Sequence, residues 1–339
     1  MTTTITSFLE GYHELNAAVI DELSEQPSPL EFMRYVARNR PFVVRRVATD
    51  WQAYRRWDAA YLRQMMADEQ VKVAVTPLGN ADAVVEQSDG HLLFVEPYET
   101  YHLFNNFLNE IQRPIASREP LPVKYAQTQN DNLREEYARL LPDVPSDIPF
   151  ARIALDQSAD AVNLWLGDNR SVTSLHKDNY ENIYVQIRGQ KHFVLLAPAD
   201  MPCVNEQMLR QGRYVPATSA NGLEDVTNAF AIEISDSDER IPVATWDPDL
   251  PDERTTAYTH LAKPLRVTLN EGDMLYLPAM WYHKVSQTVG AEGFACAVNY
   301  WYDMDFSGYF WSSNALVRDM VEAERLTPKY PKLEMQIEQ

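Results

Sequence analysis

The chain has 339 residues, 45% of them hydrophobic, which suffices for one large domain with a sizeable core. Its formal net charge of −19 repels phosphate backbones, so nucleic acid is not expected as a partner; it would attract a basic peptide or protein, or simply keep the chain soluble. Two cysteines cannot build a disulfide framework or a Cys-based zinc module, no apolar run is long enough to span a bilayer, and no basic-then-apolar leader opens the chain, so a reducing compartment is the expected home.

Residues 1–115 read as a helical N-terminal region with a few strands. Phe8, Leu9, Leu15, Val19, Ile20 and Leu23 recur at helical spacing and predict an amphipathic helix. "SPLEFMRYVARNR" predicts a capped helix, with Ser28 as N-cap, Pro29 in the first turn and Glu31 at the capping-box position. "RPFVVRRV" reads as a short strand, and "WDAAYLRQMMAD" as a helix with Asp58 near its start. Residues 71–75 read as an alternating strand and "PYETYHLFNNFLNEI" as another helix.

From Leu121 the character changes. "PVKYAQTQ", "AVNLWLGD", "SVTSLHKD", "NIYVQIRG", "KHFVLLAP", "LRVTLNEGD", "MLYLPAMWYHKV" and "ACAVNYWYD" are short, strand-like and bounded by Gly, Asn, Asp or Pro. This pattern predicts a mainly β sandwich or closed barrel over 116–305, with flanking helices. The polar, acidic stretch 219–254 reads as a surface insertion. Residues 306–327 return to helical spacing, with Phe310, Leu316, Val317, Met320 and Val321 as the apolar face, and 328–339 read as a tail.

Side chains alternate across a strand, so His176 and Asp178 share a face. Lys177 points the other way and, like Arg188, reads as solvated. Roughly one His-x-Asp/Glu is expected by chance in such a chain, so the pair alone carries little. His283 adds weight: Trp281 and Val285 flank it at i−2 and i+2, so it faces inward and needs partners for its ring nitrogens. A core hydrogen bond would serve, and so would a metal. Two His and one carboxylate form the facial triad of non-haem Fe(II) oxygenases, although zinc accepts the same residue types. Lys191 shares a strand face with Phe193 and Leu195. Either it snorkels to water from a strand end, or it is a buried cation that takes a carboxylate ligand.

The order His-x-Asp, a Lys one hairpin later, and a distal His in "GDMLYLPAMWYHKV" resembles the JmjC 2-oxoglutarate oxygenases. "AVNLWLGD", "SLHKDNYENIY", "KHFVLLAP" and "VNYWYDM" extend the likeness, which covers residues 28–310. It is nearest to the small stand-alone lysyl hydroxylases of that family. The resemblance implies a double-stranded β-helix core, Fe(II) as cofactor, and 2-oxoglutarate and O2 as cosubstrates. It also implies a cytoplasmic and nuclear location and C-3 hydroxylation of a lysine in a GTP-binding protein of the developmentally regulated type. His176, Asp178 and His283 then match the iron ligands, and Lys191 matches the partner of the distal carboxylate. Thr173 and Tyr125 match hydroxyls that assist it, Asn182 and Asn299 match asparagines near its metal-bound end, and Gln127, Tyr184 and Trp301 match flanking positions. Thr173 lacks the parity of His176, so a bulge must bring it in. Asn179 departs from the family, where His is frequent. A histone lysine demethylase, a histone-tail peptidase and a non-enzymatic cupin-like binding module are the rival readings. Relatives dimerise through the C-terminal helix, so Phe306, Tyr309, Phe310 and Trp311 are expected either in a homodimer contact or on the chain's own core.

Overall fold

A computed structural model of the chain describes residues 4–113, 121–129, 131–217 and 229–326. Helix α1 (Thr4–Leu15) buries Ile5 and Leu9. It stops where Asn16 Nδ2 donates back to the Tyr12 carbonyl at 2.8 Å. The apolar spacing that predicts helix as far as Leu23 overruns this end. Val19 is exposed, and β1 (Asp21–Leu23) pairs in parallel with β2 (Phe42–Val44). Between them lies α2 (Pro29–Arg38), where Ser28 Oγ accepts from the Glu31 amide at 3.2 Å as the cap pattern predicts. After α3 (Gln52–Arg56), α4 (Ala59–Met65) starts on Asp58, whose carboxylate accepts from the Tyr61 amide at 2.7 Å.

Next come β3 (Gln70–Thr76), β4 (Asn80–Ala81), β5 (Ala83–Glu86), β6 (Leu92–Glu96), β7 (Tyr98–Leu103) and α5 (Phe104–Ile111). The helix expected over "PYETYHLFNNFLNEI" is therefore half strand. Tyr98, Thr100 and His102 are half-buried while Glu99, Tyr101 and Leu103 are exposed, a period of two set by antiparallel pairing along β3.

The core strands are β8 (Val123–Ala126), then, after α6 (Pro149–Leu155), β9 (Ala161–Gly167), β10 (Val172–His176), β11 (Tyr180–Arg188) and β12 (Gln190–Leu196). The chain continues through β13 (Glu206–Pro216), β14 (Phe230–Ile234), β15 (Arg240–Ala244), β16 (Leu265–Leu269), β17 (Met274–Leu277), β18 (Tyr282–Thr288) and β19 (Ala295–Asp303) to α7 (Tyr309–Leu326). Eight of these strands are dealt between two facing sheets. β17-β11-β19-β9 form the centre of a nine-stranded sheet, and β16-β12-β18-β10 form the smaller sheet, with β4 at its edge. This is the double-stranded β-helix. The central strands of the large sheet are buried on both faces, which is why β9 and β19 read as continuous apolar runs. Its outer face packs on Phe32, Trp57, Phe104 and Tyr137. Its inner face and the small sheet enclose Tyr125, Trp165, Tyr184, Phe193 and Trp301.

A third sheet, β14-β13-β6-β5 with β15 on β13, was not foreseen. The acidic stretch expected as a surface insertion contributes β14 and β15 to it, both antiparallel to β13, while its residues 219–228 lie outside the described residues. The tail 328–339 also lies outside them. Among the described residues no helix is long and apolar enough to cross a membrane.

Candidate active site

β10 and β18 run antiparallel with His176 opposite His283. Thr173 stands opposite Val285, so three steps on β10 match two on β18. That is the bulge the parity of Thr173 requires, and it returns Thr173 to the face of His176. Thr173 is 6% exposed.

The two imidazoles lie with centroids 4.0 Å apart. Each Nδ1 meets a backbone carbonyl: His176 the oxygen of Ser174 at 2.7 Å, His283 that of Trp281 at 3.0 Å. A carbonyl only accepts, so both Nδ1 atoms carry the proton and both Nε2 atoms present a lone pair. Burial, followed by the nearby His176, pushes the His283 pKa down to about 4, which keeps the ring neutral. The Nε2 atoms lie 3.8 and 3.5 Å from Asp178 Oδ2. All three ligand atoms fall within 4.8 Å of one another. Asp178 is anchored by its carbonyl, which accepts from the Met280 amide at 2.8 Å; Met280 adopts a left-handed φ of 68° in the β17–β18 connection. Two imine nitrogens and one carboxylate oxygen on one side, tautomers set from behind, fit a divalent iron with its remaining positions open.

Lys191 lies deeper in the cup at 2% exposure. Its Nζ donates to Tyr125 Oη at 2.6 Å and sits 5.0 Å from the centre of that ring. No carboxylate among the described residues pairs with it, and burial pushes its pKa down to about 7. Opposite it on β18 stands Gln287, whose Nε2 donates to the Asp168 carbonyl at 2.6 Å while its Oε1 has no partner. The buried Ser171 Oγ is also unpartnered. A Cβ on Gly167 would lie 2.6 Å from the Tyr125 ring and 2.9 Å from both Gln287 Nε2 and Ser171 Oγ, so these groups converge where only glycine fits. A buried cation with hydroxyl and amide groups around it suits a small carboxylate. Gln287 and Ser171 escaped the sequence reading. Parity would have found Gln287, since 283, 285 and 287 share a face.

The other predicted positions surround this pocket. Asn299 Nδ2 donates to Asn182 Oδ1 at 3.0 Å, and Trp165 Nε1 donates to Asn299 Oδ1 at 2.8 Å. Tyr184 packs edge-on against Phe193. Trp301 stacks on Tyr180 at 4.8 Å, with its Nε1 unpartnered. Gln127 is buried with an unpartnered Oε1 and lines the outer groove rather than the Lys191 end. Lys177 and Arg188 are not solvated. Lys177 Nζ donates to Glu206 Oε2 and to Tyr282 Oη, and Arg188 lies over Tyr54 with Glu271 at 3.9 Å. Neighbouring elements cover the outer faces that the alternation rule assigns to water.

The metal-ligand cluster opens on a groove of about 990 Å³, walled by β7, the third sheet and α7 through Tyr98, Tyr214, Pro242 and Trp311. Most of its charges are paired: Lys72 with Glu99, Arg213 with Glu233, and Lys177 with Glu206. Asp82 and Glu96 have no cation partner among the described residues. They flank the Ala83–Val95 pair where β5 and β6 meet, and both line the groove. Burial, only partly offset by His176, pushes Asp82 up to about 6.

The sequence profile of the Cupin-like domain matches residues 27–308. The "Lysine-specific demethylase JMJ32" of Arabidopsis thaliana is 39% identical over 319 residues, covering 91% of this chain and 89% of the relative. The human "Bifunctional peptidase and (3S)-lysyl hydroxylase JMJD7" is 38% identical over 302 residues, covering 87% and 89%. "JmjC domain-containing protein E" of Dictyostelium discoideum is 33% identical over 303 residues, covering 84% of each.

Proposed function

From the premise that this chain belongs to the cupin-like JmjC oxygenases, enzymes dependent on Fe(II) and 2-oxoglutarate, we propose that it hydroxylates a lysine side chain of a protein, at C-3. The carrying observation is the His176–Asp178–His283 cluster together with Lys191, buried in the same cup without a carboxylate partner among the described residues. His176, Asp178 and His283 would hold the iron. When bound, the iron couples reduction of O2 to oxidative decarboxylation of 2-oxoglutarate, so that one oxygen atom enters succinate and the other a substrate C–H bond. Lys191 and the Tyr125 hydroxyl would hold the far carboxylate and so set the depth of the cosubstrate, with Thr173 beside them. Asn182, Asn299, Tyr184 and Trp301 would shape the rest of the pocket and exclude water, and Gln127 would border the substrate side.

The lysyl reading rests on the printed activity of the human relative and on Asp82 and Glu96. Two neighbouring carboxylates repel, and an ammonium between them would relieve this. The target we favour is a GTP-binding protein of the developmentally regulated type, and the overall charge of −19 would assist approach of its basic segment. We also propose a homodimer through α7. The Arabidopsis relative's name supports a demethylase as a second reading. The test is Fe(II)- and 2-oxoglutarate-dependent turnover of a candidate GTPase, with product analysis by mass spectrometry. Gain of one oxygen on an intact lysine is expected, and it should vanish in His176→Ala. Loss of a methylene would mean demethylation and chain cleavage a peptidase. Equal turnover in His176→Ala would overturn the iron assignment.

A further inference from the structure

The residues adjacent in sequence to the three metal-cluster side chains meet at one carboxylate. Lys177 sits between His176 and Asp178, and Tyr282 directly precedes His283. Tyr282 alternates with His283 along β18 and so faces away from the cup, and Lys177, just past the end of β10, turns to the same side, where both border the outer groove. There Lys177 Nζ and Tyr282 Oη each donate to Glu206 Oε2, the latter at 2.7 Å, and Nζ also donates to Tyr282 Oη at 2.9 Å. Glu206 is 5% exposed at the start of β13. It is backed by α7, whose Arg318 Nε lies 3.8 Å from Oε1 and whose Arg325 donates to the Glu206 carbonyl at 2.8 Å.

We propose that Glu206 is a positioning residue: through Lys177 and Tyr282 it ties the two ligand-bearing segments together and fixes the spacing of His176, Asp178 and His283. The proposal rests on the reading that these three hold the iron. Lys177 lies between His176 and Asp178, so the tie that holds its ammonium also restrains the backbone that carries both side chains. A buried lysine deprived of its carboxylate is driven to turn toward water. Tyr282 passes the same restraint to His283, its neighbour on β18, so one carboxylate controls both sides of the site.

The probe is Co(II) alone, titrated into the full chain and followed by its visible absorption, with circular dichroism as the fold control. Glu206→Gln is expected to weaken Co(II) binding by about tenfold to a hundredfold, the usual effect of losing a partner behind metal ligands, and to shift the absorption band. Adding Lys177→Met to Glu206→Gln removes the stranded cation and is expected to recover part of the affinity. His176→Ala should abolish binding. If it binds like wild type, the iron-site reading fails. If His176→Ala loses the metal while folded Glu206→Gln binds with wild-type affinity and spectrum, the positioning role is overturned. Should Glu206→Gln not fold, Tyr282→Phe deletes one tie at little structural cost, and an unchanged affinity and spectrum there overturns the proposal equally.

Discussion

At the scale of single residues, the balance at Lys191 is between desolvation and a charge that ligand binding can satisfy. Burial brings its pKa to about 7, against about 10.4 for a lysine in an unfolded chain. Between those values the unfolded chain holds the proton and the folded one does not. The resulting penalty on the ligand-free protein is full below about pH 7 and is relieved as pH rises toward the unfolded value. A dicarboxylate reverses this, because it binds the ammonium and not the amine. Above about pH 7, 2-oxoglutarate binding should therefore take up a proton and weaken as pH rises. Calorimetry in buffers of different ionisation heat is expected to show that uptake at about pH 8. Lys191→Met should lose the uptake and roughly tenfold to a hundredfold in affinity, the ~1.5–3 kcal/mol of a charged hydrogen bond. Binding with no proton uptake in the wild type would mean that Lys191 is already charged in the free protein.

At the scale of elements, the eight cup strands were legible because each is short, bounded by turn residues and buried on a definite face. The three-residue cluster was legible in part for the same reason, since parity puts His176 and His283 on the inner face of β10 and β18 and Asp178 lies two residues past His176. What escaped depends on contacts distant in sequence. β7 passes into α5 with no breaker between Leu103 and Phe104, so its period of two was masked by the helical spacing that follows. β13 pairs with β6, more than a hundred residues earlier, and nothing local marks it. Glu206, Gln287 and Ser171 gain meaning only once strands are placed side by side. The tight turn between β11 and β12 was visible in the sequence, and the structure gives its requirement. Gly189 has φ of 68°, and a Cβ there would lie 2.5 Å from the Thr288 carbonyl oxygen. Gly189→Ala is expected to cost more than ~1 kcal/mol, lowering Tm by roughly 2 °C or more. A thermal melt coincident with wild type would show that the turn relaxes without strain.

At the scale of the molecule, the proposed homodimer asks α7 to serve both the chain's own core and a second copy. Phe310 and Trp311 pack on Ala279, Met280 and Met304, and Val321 is 3% exposed, so part of the helix is committed inward. Deleting the helix would therefore disturb the β17–β18 connection that anchors Asp178, and truncation is a poor probe of association. The outward side differs. Tyr309 is 90% exposed and Leu316 60%, two turns apart on one face, with Phe306 at 51% just before the helix. Single exposed apolar residues are ordinary, but Phe306, Tyr309 and Leu316 lie along one side of this helix, with Ser312 and Ser313 between the last two, and suit the proposed two-fold helix pair. Leu316, expected on the inward apolar face, is instead on this outer side. Light scattering is expected to give a dimer for the full chain and a monomer for Tyr309→Glu/Leu316→Glu, with Co(II) binding unchanged because neither side chain reaches the Glu206 contacts. A monomeric wild type at micromolar concentration would refute the dimer. If instead the double variant lost metal binding as well, the outer and inner faces of α7 would be coupled, and Arg318 at 3.8 Å from Glu206 is the contact through which the coupling would run.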